Sequence, residues 1–124
     1  MPFVETGIQG LLVFEPKVFA DSRGYFFESY NADLFLSEGI DYRFVQDNQS
    51  SSSYGVIRGL HYQSGIYAQT KLVRALVGSI LDVAVDIRKG SPTYGKVFTI
   101  ELSAENKKQL LVPQGFAHGF SVIS

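Results

Sequence analysis

The residues whose types could do chemistry gather in one string, DNQSSSSYGVIRGLHYQ, from Asp47 to Gln63. Arg58 is a permanent cation, and His61 titrates near neutrality. Such a pair is common where an anion is bound and a proton is moved. Arg58 could hold a phosphate and His61 could act as base or acid. A second basic group, Gln69-Thr70-Lys71-Leu72-Val73-Arg74, follows on what reads as the next strand. A lone His in a strand is also an ordinary structural residue, so these residues alone leave both readings open. Regular pleating would put Arg58 and His61 on opposite faces, because their separation is odd. A shared site therefore requires a bulge or local twist, and Gly59 is the residue that permits it.

The elements that must position these residues are short strands. Phe3 to Ile8 reads as a first strand, and Leu11 to Phe14 as a second, ended by Glu15-Pro16. Asp21-Ser22-Arg23-Gly24 is a turn tetrad, followed by a strand from Tyr25 to Tyr30. Asn31 is an N-cap for one short helix, Ala32 to Glu38, stopped at Gly39. Arg43 to Gln49 is expected as a strand, the serine run Ser50 to Ser53 as a loop, and Val56 to Tyr62 and Thr70 to Val77 as strands. Gly78-Ser79 reads as a hairpin-like turn. From Ile80 the chain alternates: Leu81, Val83, Val85 and Ile87 share one face, Asp82, Ala84 and Asp86 the other. A loop from Lys89 to Gly95, strands at Val97 to Leu102, Gln109 to Val112 and Phe116 to Ile123, and turns between them complete the chain. No internal repeat or domain boundary is visible, so one domain is expected over residues 1–124.

Composition narrows the classes. Eleven basic and twelve acidic residues give a net charge of −1, which argues against a nucleic-acid or membrane-surface binder. Cysteine is absent, so there is no disulfide framework and no thiolate metal site. No apolar run is long enough to span a membrane and the start does not resemble a signal peptide, so a cytoplasmic location is the default expectation. Twelve glycines and seventeen Phe and Tyr residues among short strands point to an all-β, jelly-roll barrel with one short helix.

The run Pro113-Gln114-Gly115-Phe116-Ala117-His118 resembles the second motif of cupins. The strand matching the first cupin motif, Arg58 to Gln63, carries one His where metal-binding cupins have two. His61 and His118 are the only histidines, so a three-His metal centre cannot be built.

Four segments carry a more specific resemblance: DSRGYFFESYN (Asp21 to Asn31), QDNQSSSSYGVIRGLHYQ (Gln46 to Gln63), QTKLVRALVGSILDVAVDIRKGSPTYG (Gln69 to Gly95) and PQGFAHGFSVIS (Pro113 to Ser124). Together they resemble the dTDP-4-dehydrorhamnose 3,5-epimerases, cupin-fold enzymes acting on a sugar nucleotide. The resemblance implies no metal and no cofactor. It implies a dTDP-4-dehydro-6-deoxy sugar as substrate, whose hydrogens at carbons 3 and 5 flank a ketone. By resemblance His61 is the base, Lys71 sits by the enolate oxygen, and Asp82 and His118 support the sugar or orient neighbours. Arg23 and Arg58 would clamp the diphosphate. Phe19, Glu28, Gln46 and Asn48 would bind the nucleoside, with Phe19 stacked on thymine. As bare residues, Phe19 reads as core, Glu28 as a surface charge, Lys71 as a strand-edge lysine and Asp82 as a solvated or barrel-mouth carboxylate. A homodimer through N-terminal strands is also implied, with Arg23 reaching the partner's site.

The resemblance also implies a longer chain, whose later part would carry an acid Tyr and an Asp paired with the base His. On that reading these residues are a truncated form or a fragment, expected to bind dTDP sugars and turn them over slowly. Two alternatives stand beside the 3,5-epimerase reading: a related single-site epimerase or ketoisomerase, and a catalytically impaired dTDP-sugar-binding cupin.

Overall fold

The computed structural model describes residues 2–63, 65 and 68–124. Among these, the strands are β1 (Phe3–Glu5), β2 (Leu12–Phe14), β3 (Val18–Asp21), β4 (Gly24–Phe27), β5 (Ile57–His61), β6 (Lys71–Val73), β7 (Ser79–Asp86), β8 (Val97–Ser103), β9 (Gln109–Val112) and β10 (Phe116–Val122). One helix, α1 (Ala32–Ser37), lies between β4 and β5. The chain forms two compact units, Met1–Glu15 with Ser52–Ser124, and Pro16–Ser51.

The larger unit holds two four-stranded antiparallel sheets, ordered β1-β2-β9-β6 and β5-β10-β7-β8. The chain alternates between them, from β6 to β7, from β8 to β9 and from β9 to β10. This is the cupin-like jelly roll. Its core is built from the inward side chains of both sheets: Val13, Leu110 and Val112 from one, Ala84, Leu102 and Phe116 from the other, closed by Ile8 and Leu11. Each fully buried large apolar side chain stabilises by about 1.5–3 kcal/mol.

The turn into β10 is made by Pro113, Gln114 and Gly115, with Gly115 at φ 88°. The Ile87 amide donates to the Gly115 carbonyl at 3.1 Å, tying the end of β7 to that turn.

The smaller unit contains the β3–β4 hairpin, in which Asp21 pairs with Gly24 across the Ser22-Arg23 turn, and α1. Asn31 caps the helix by accepting from the Leu34 amide at 3.1 Å, and Gly39 takes a positive φ of 79° just beyond it. Both ends of the helix therefore fall where the capping residues predict.

Several expectations are corrected. Residues 43–49 form no strand, because a strand needs a ladder partner and this segment has none among the described pairings. Val18–Asp21, not expected as a strand, pairs with Gly24–Phe27 instead. The first strand stops at Glu5, where the Thr6 hydroxyl donates to the Leu11 carbonyl at 2.8 Å and turns the chain. The strand at Lys71 ends at Val73, since the chain must leave its sheet to reach the other by Ser79. Gly78 therefore bends a crossover between sheets and does not close a hairpin.

The β7 alternation is present, with its polar side inward. Asp82, Ala84 and Asp86 are buried while Leu81 is exposed. A solvated or barrel-mouth place for Asp82 is thus ruled out: its side chain is 0% exposed.

Candidate active site

The site is built where β5 runs along β10. His118 pairs with His61, and Phe120 pairs with Arg58, so two steps along β10 match three along β5. This is the bulge that the odd spacing demands. Gly59 carries it, at φ 98°, in a region favourable only to glycine. A Cβ on Gly59 would lie 2.7 Å from the His118 carbonyl oxygen, and one on Gly119 would lie 2.5 Å from the Arg58 carbonyl oxygen. Two glycines face each other because neither backbone leaves room for a methyl group.

The bulge decides which side chains share a face. Directly paired residues point to the same side of an antiparallel ladder, and residues two apart on one strand do as well. His118 and Phe120 are two apart, so their partners His61 and Arg58 share their side. On the other flank of β10, His118 pairs with Ala84 and Phe120 with Asp82. Arg58, His61, His118 and Asp82 thus belong to one face of one sheet.

Within that face the His118 Nε2 lies 2.8 and 2.9 Å from the two Asp82 carboxyl oxygens. An ionised carboxylate has only acceptors, so the imidazole N–H donates to it. Burial pushes the Asp82 carboxyl above its ordinary value, and the hydrogen bond and charge of His118, then the charge of Lys71, oppose that rise. The three groups form one electrostatic set.

His61 and Lys71, from β5 and β6, line one cavity of about 350 Å³, walled also by Gln63, Gln69, Gly115 and Phe116. That volume lies within the range of small-molecule sites. Arg58 and His61 are exposed, and Arg58 Nε donates to the Ser52 hydroxyl at 2.7 Å. The serine run therefore contributes a partner to the site's arginine. Tyr62, which follows His61, also lines the cavity.

The remaining expected residues belong to the smaller unit. Arg23 is bound to Asp21 at 2.6 Å in the hairpin turn. Phe19 is 56% exposed, with the Lys17 ammonium 5.1 Å from its ring centroid, so it is not a core residue. Glu28 accepts from the Asn31 amide at 2.8 Å, and Gln46 donates to Asn48 at 3.2 Å. Among the described residues no helix is long and apolar enough to cross a membrane.

Sequence reasoning missed Tyr62, Gln63, Gln69, Gly115 and Phe116 as lining residues. Two of them carried a usable signal. Gln69 stands two before Lys71 and Phe116 two before His118, the spacing that shares a strand face.

Known proteins agree with this arrangement. Residues 5–124 match the family model described as dTDP-4-dehydrorhamnose 3,5-epimerase. The Shigella flexneri protein called dTDP-4-dehydrorhamnose 3,5-epimerase is 58% identical over 125 residues, covering 100% of this chain and 69% of its own length. The crystal structure of the Elizabethkingia anophelis epimerase superposes with a TM-score of 0.92 at 54% identity, covering 98% of this chain and 67% of that one. A Legionella pneumophila 3,5-epimerase, crystallised with dTDP-4-keto-L-rhamnose, gives a TM-score of 0.93 at 53% identity, covering 98% of this chain and 65% of that one. This chain belongs to the dTDP-4-dehydrorhamnose 3,5-epimerase family.

Proposed function

We propose that this protein converts dTDP-4-dehydro-6-deoxy-D-glucose into dTDP-4-dehydro-L-rhamnose by moving protons at carbons 3 and 5. The observation that carries this reading is the cavity that His61 and Lys71 line together, beside the Asp82–His118 pair. A hydrogen next to a ketone is weakly acidic, because the electron pair of the broken C–H bond moves onto the carbonyl oxygen as an enolate. His61 accepts that proton. The Lys71 ammonium stands by the developing oxyanion and lowers the barrier electrostatically. Inversion then requires a proton delivered to the opposite face by an acid other than His61.

Asp82 and His118 hold the floor beneath the sugar: the buried carboxylate fixes the imidazole, and Lys71 feels its charge. Arg58 and Arg23 bind the diphosphate, for which a guanidinium supplies several donors in one plane. Phe19, Glu28, Gln46 and Asn48 serve the nucleoside end, Phe19 offering an exposed ring for stacking on thymine.

The working form is a homodimer. Its support is apolar strand surface: Val4 on the edge strand β1, and Phe19 and Phe26 on the β3–β4 hairpin, are all exposed. A monodisperse monomer at micromolar concentration would refute that assembly. The reaction is cytoplasmic, since a charged diphosphate does not cross an apolar bilayer unaided.

The test is a proton NMR time course in deuterated buffer with the 4-keto sugar. Loss of signal at both carbon 3 and carbon 5 is expected. His61→Ala should abolish exchange at both while thymidine diphosphate binding is retained. Exchange at wild-type rate in His61→Ala would remove His61 as the base, and exchange at one carbon only would favour a single-site epimerase.

A further inference from the structure

Behind the cavity wall lies a charged cluster that the reaction does not use. Asp86, at the inner end of β7, pairs in register with Phe116. Its carboxyl, fully buried, accepts from Arg88 Nε at 3.0 Å, Arg88 Nη2 at 3.1 Å and the Arg88 amide at 3.0 Å. The hydroxyls of Ser91 and Thr93 add bonds of 2.6 and 2.5 Å from the following loop. Arg88, then Ser91 and Thr93, hold this carboxyl well below the usual carboxylate range, though burial opposes them.

The guanidinium so fixed lies over Phe116, with Cζ 4.7 Å from the ring centroid. Its aliphatic stem crosses Gly115 closely enough that a Cβ there would collide with Arg88 Cγ. Gly115 and Phe116 both line the cavity that holds His61 and Lys71. Phe116 is also the one wholly hydrocarbon side chain among the described lining residues. It suits the apolar deoxy carbon of a 6-deoxy sugar.

We infer that Arg88 is a positioning residue for the reaction: clamped by Asp86, it presses the Gly115–Phe116 wall into place and so sets how the hexose lies against His61. It touches no substrate and acts through Phe116. The proposal rests on the epimerase reading above for its kinetic consequence, and on the geometry for its local one.

Three measurements on the full protein test it. Arg88→Lys keeps the stem and charge but loses the planar fork, and Thr93→Ala removes one of the donors to Asp86 while sparing Arg88. Misplacement of about 1 Å can cost on the order of a hundredfold in rate. Arg88→Lys should therefore raise KM for the 4-keto sugar about tenfold and change the ratio of deuterium uptake at carbon 3 to carbon 5, with Thr93→Ala smaller in both. A lower folded fraction would reduce apparent kcat alone and leave KM and the ratio unmoved.

The third measurement needs no activity. Hydrogen exchange at the Ile87 amide, which donates to the Gly115 carbonyl, should speed up in both variants while the Val83 and Ala84 amides of the same strand keep their protection. Unchanged KM, ratio and Ile87 protection would overturn the proposal, as would a uniform loss of protection with KM and ratio intact. If the wild-type protein exchanged neither sugar hydrogen, the epimerase reading would fall, and the Ile87 amide alone would then decide whether Arg88 holds the wall.

Discussion

Gly119→Ala is the sharpest perturbation of the site, because it adds one methyl group where the bulge is tightest. Gly119 is not at a positive φ, so alanine brings no backbone strain of its own and the effect is steric. The new Cβ would sit 2.5 Å from the Arg58 carbonyl oxygen and 3.3 Å from both Gly59 Cα and Leu60 Cδ2. Reaching even 3.0 Å requires β5 to move by about 0.5 Å, and reaching ordinary contact at 3.4 Å requires about 0.9 Å. Overpacking of this kind costs about 1–3 kcal/mol. For a chain of this length, each kcal/mol corresponds to about 4 °C in Tm, so a fall of roughly 4–12 °C is expected by thermal denaturation. The same displacement carries Arg58 and His61 away from the Asp82–His118 pair, and a shift approaching 1 Å predicts a loss on the order of tenfold to a hundredfold in deuterium exchange. Both should be measured on one preparation. A variant within about 1 °C in Tm and twofold in exchange of the wild type would refute the claim that the Gly59–Gly119 contact sets the site's geometry.

Gly59→Ala should be worse than Gly119→Ala, because it adds a positive-φ penalty of about 1–2 kcal/mol to a comparable clash, and the two Tm values compared side by side check the order. Arg58→Ala should weaken thymidine diphosphate binding by about ten- to a hundredfold for each charge-assisted bond lost, measured by calorimetry, while Tm moves little because its described protein partner is the exposed Ser52. Asp86 predicts an acid limb of stability. Its folded pKa is depressed, so its contribution is fully present above its ordinary value of 3.8 and is lost as pH falls from there through the folded value. Asp86→Asn should flatten that part of the stability–pH curve, and an unchanged slope below pH 4 would contradict the assignment. Asp82 has the opposite sign: its raised pKa makes stability fall as pH rises above 3.8 toward the folded value, and Asp82→Asn should remove that fall.

Much of this protein was legible in one dimension because short-range rules govern it. Asn31 and Gly39 bound the helix since capping and positive φ are local properties. The turn at Asp21 to Gly24 and the strand Gln109–Val112 followed from composition and periodicity alone. Even the bulge at Gly59 was implied, because an odd spacing and a shared face are incompatible in a regular strand. Other features depended on which strand lies beside which. Residues 43–49 have strand-like composition and no partner, and extended chain becomes a strand only by pairing. The alternation of β7 announced two faces, yet hydrophobicity pointed to the wrong one as inner. Burial of Asp82 and Asp86 is tolerable only because His118 arrives from β10 and Arg88, Ser91 and Thr93 fold back from the adjoining segment. The 36 positions between Asp82 and His118 carry no sign of that bond. A buried charge is decided by the partners that tertiary structure delivers, since without them its desolvation would forbid the arrangement.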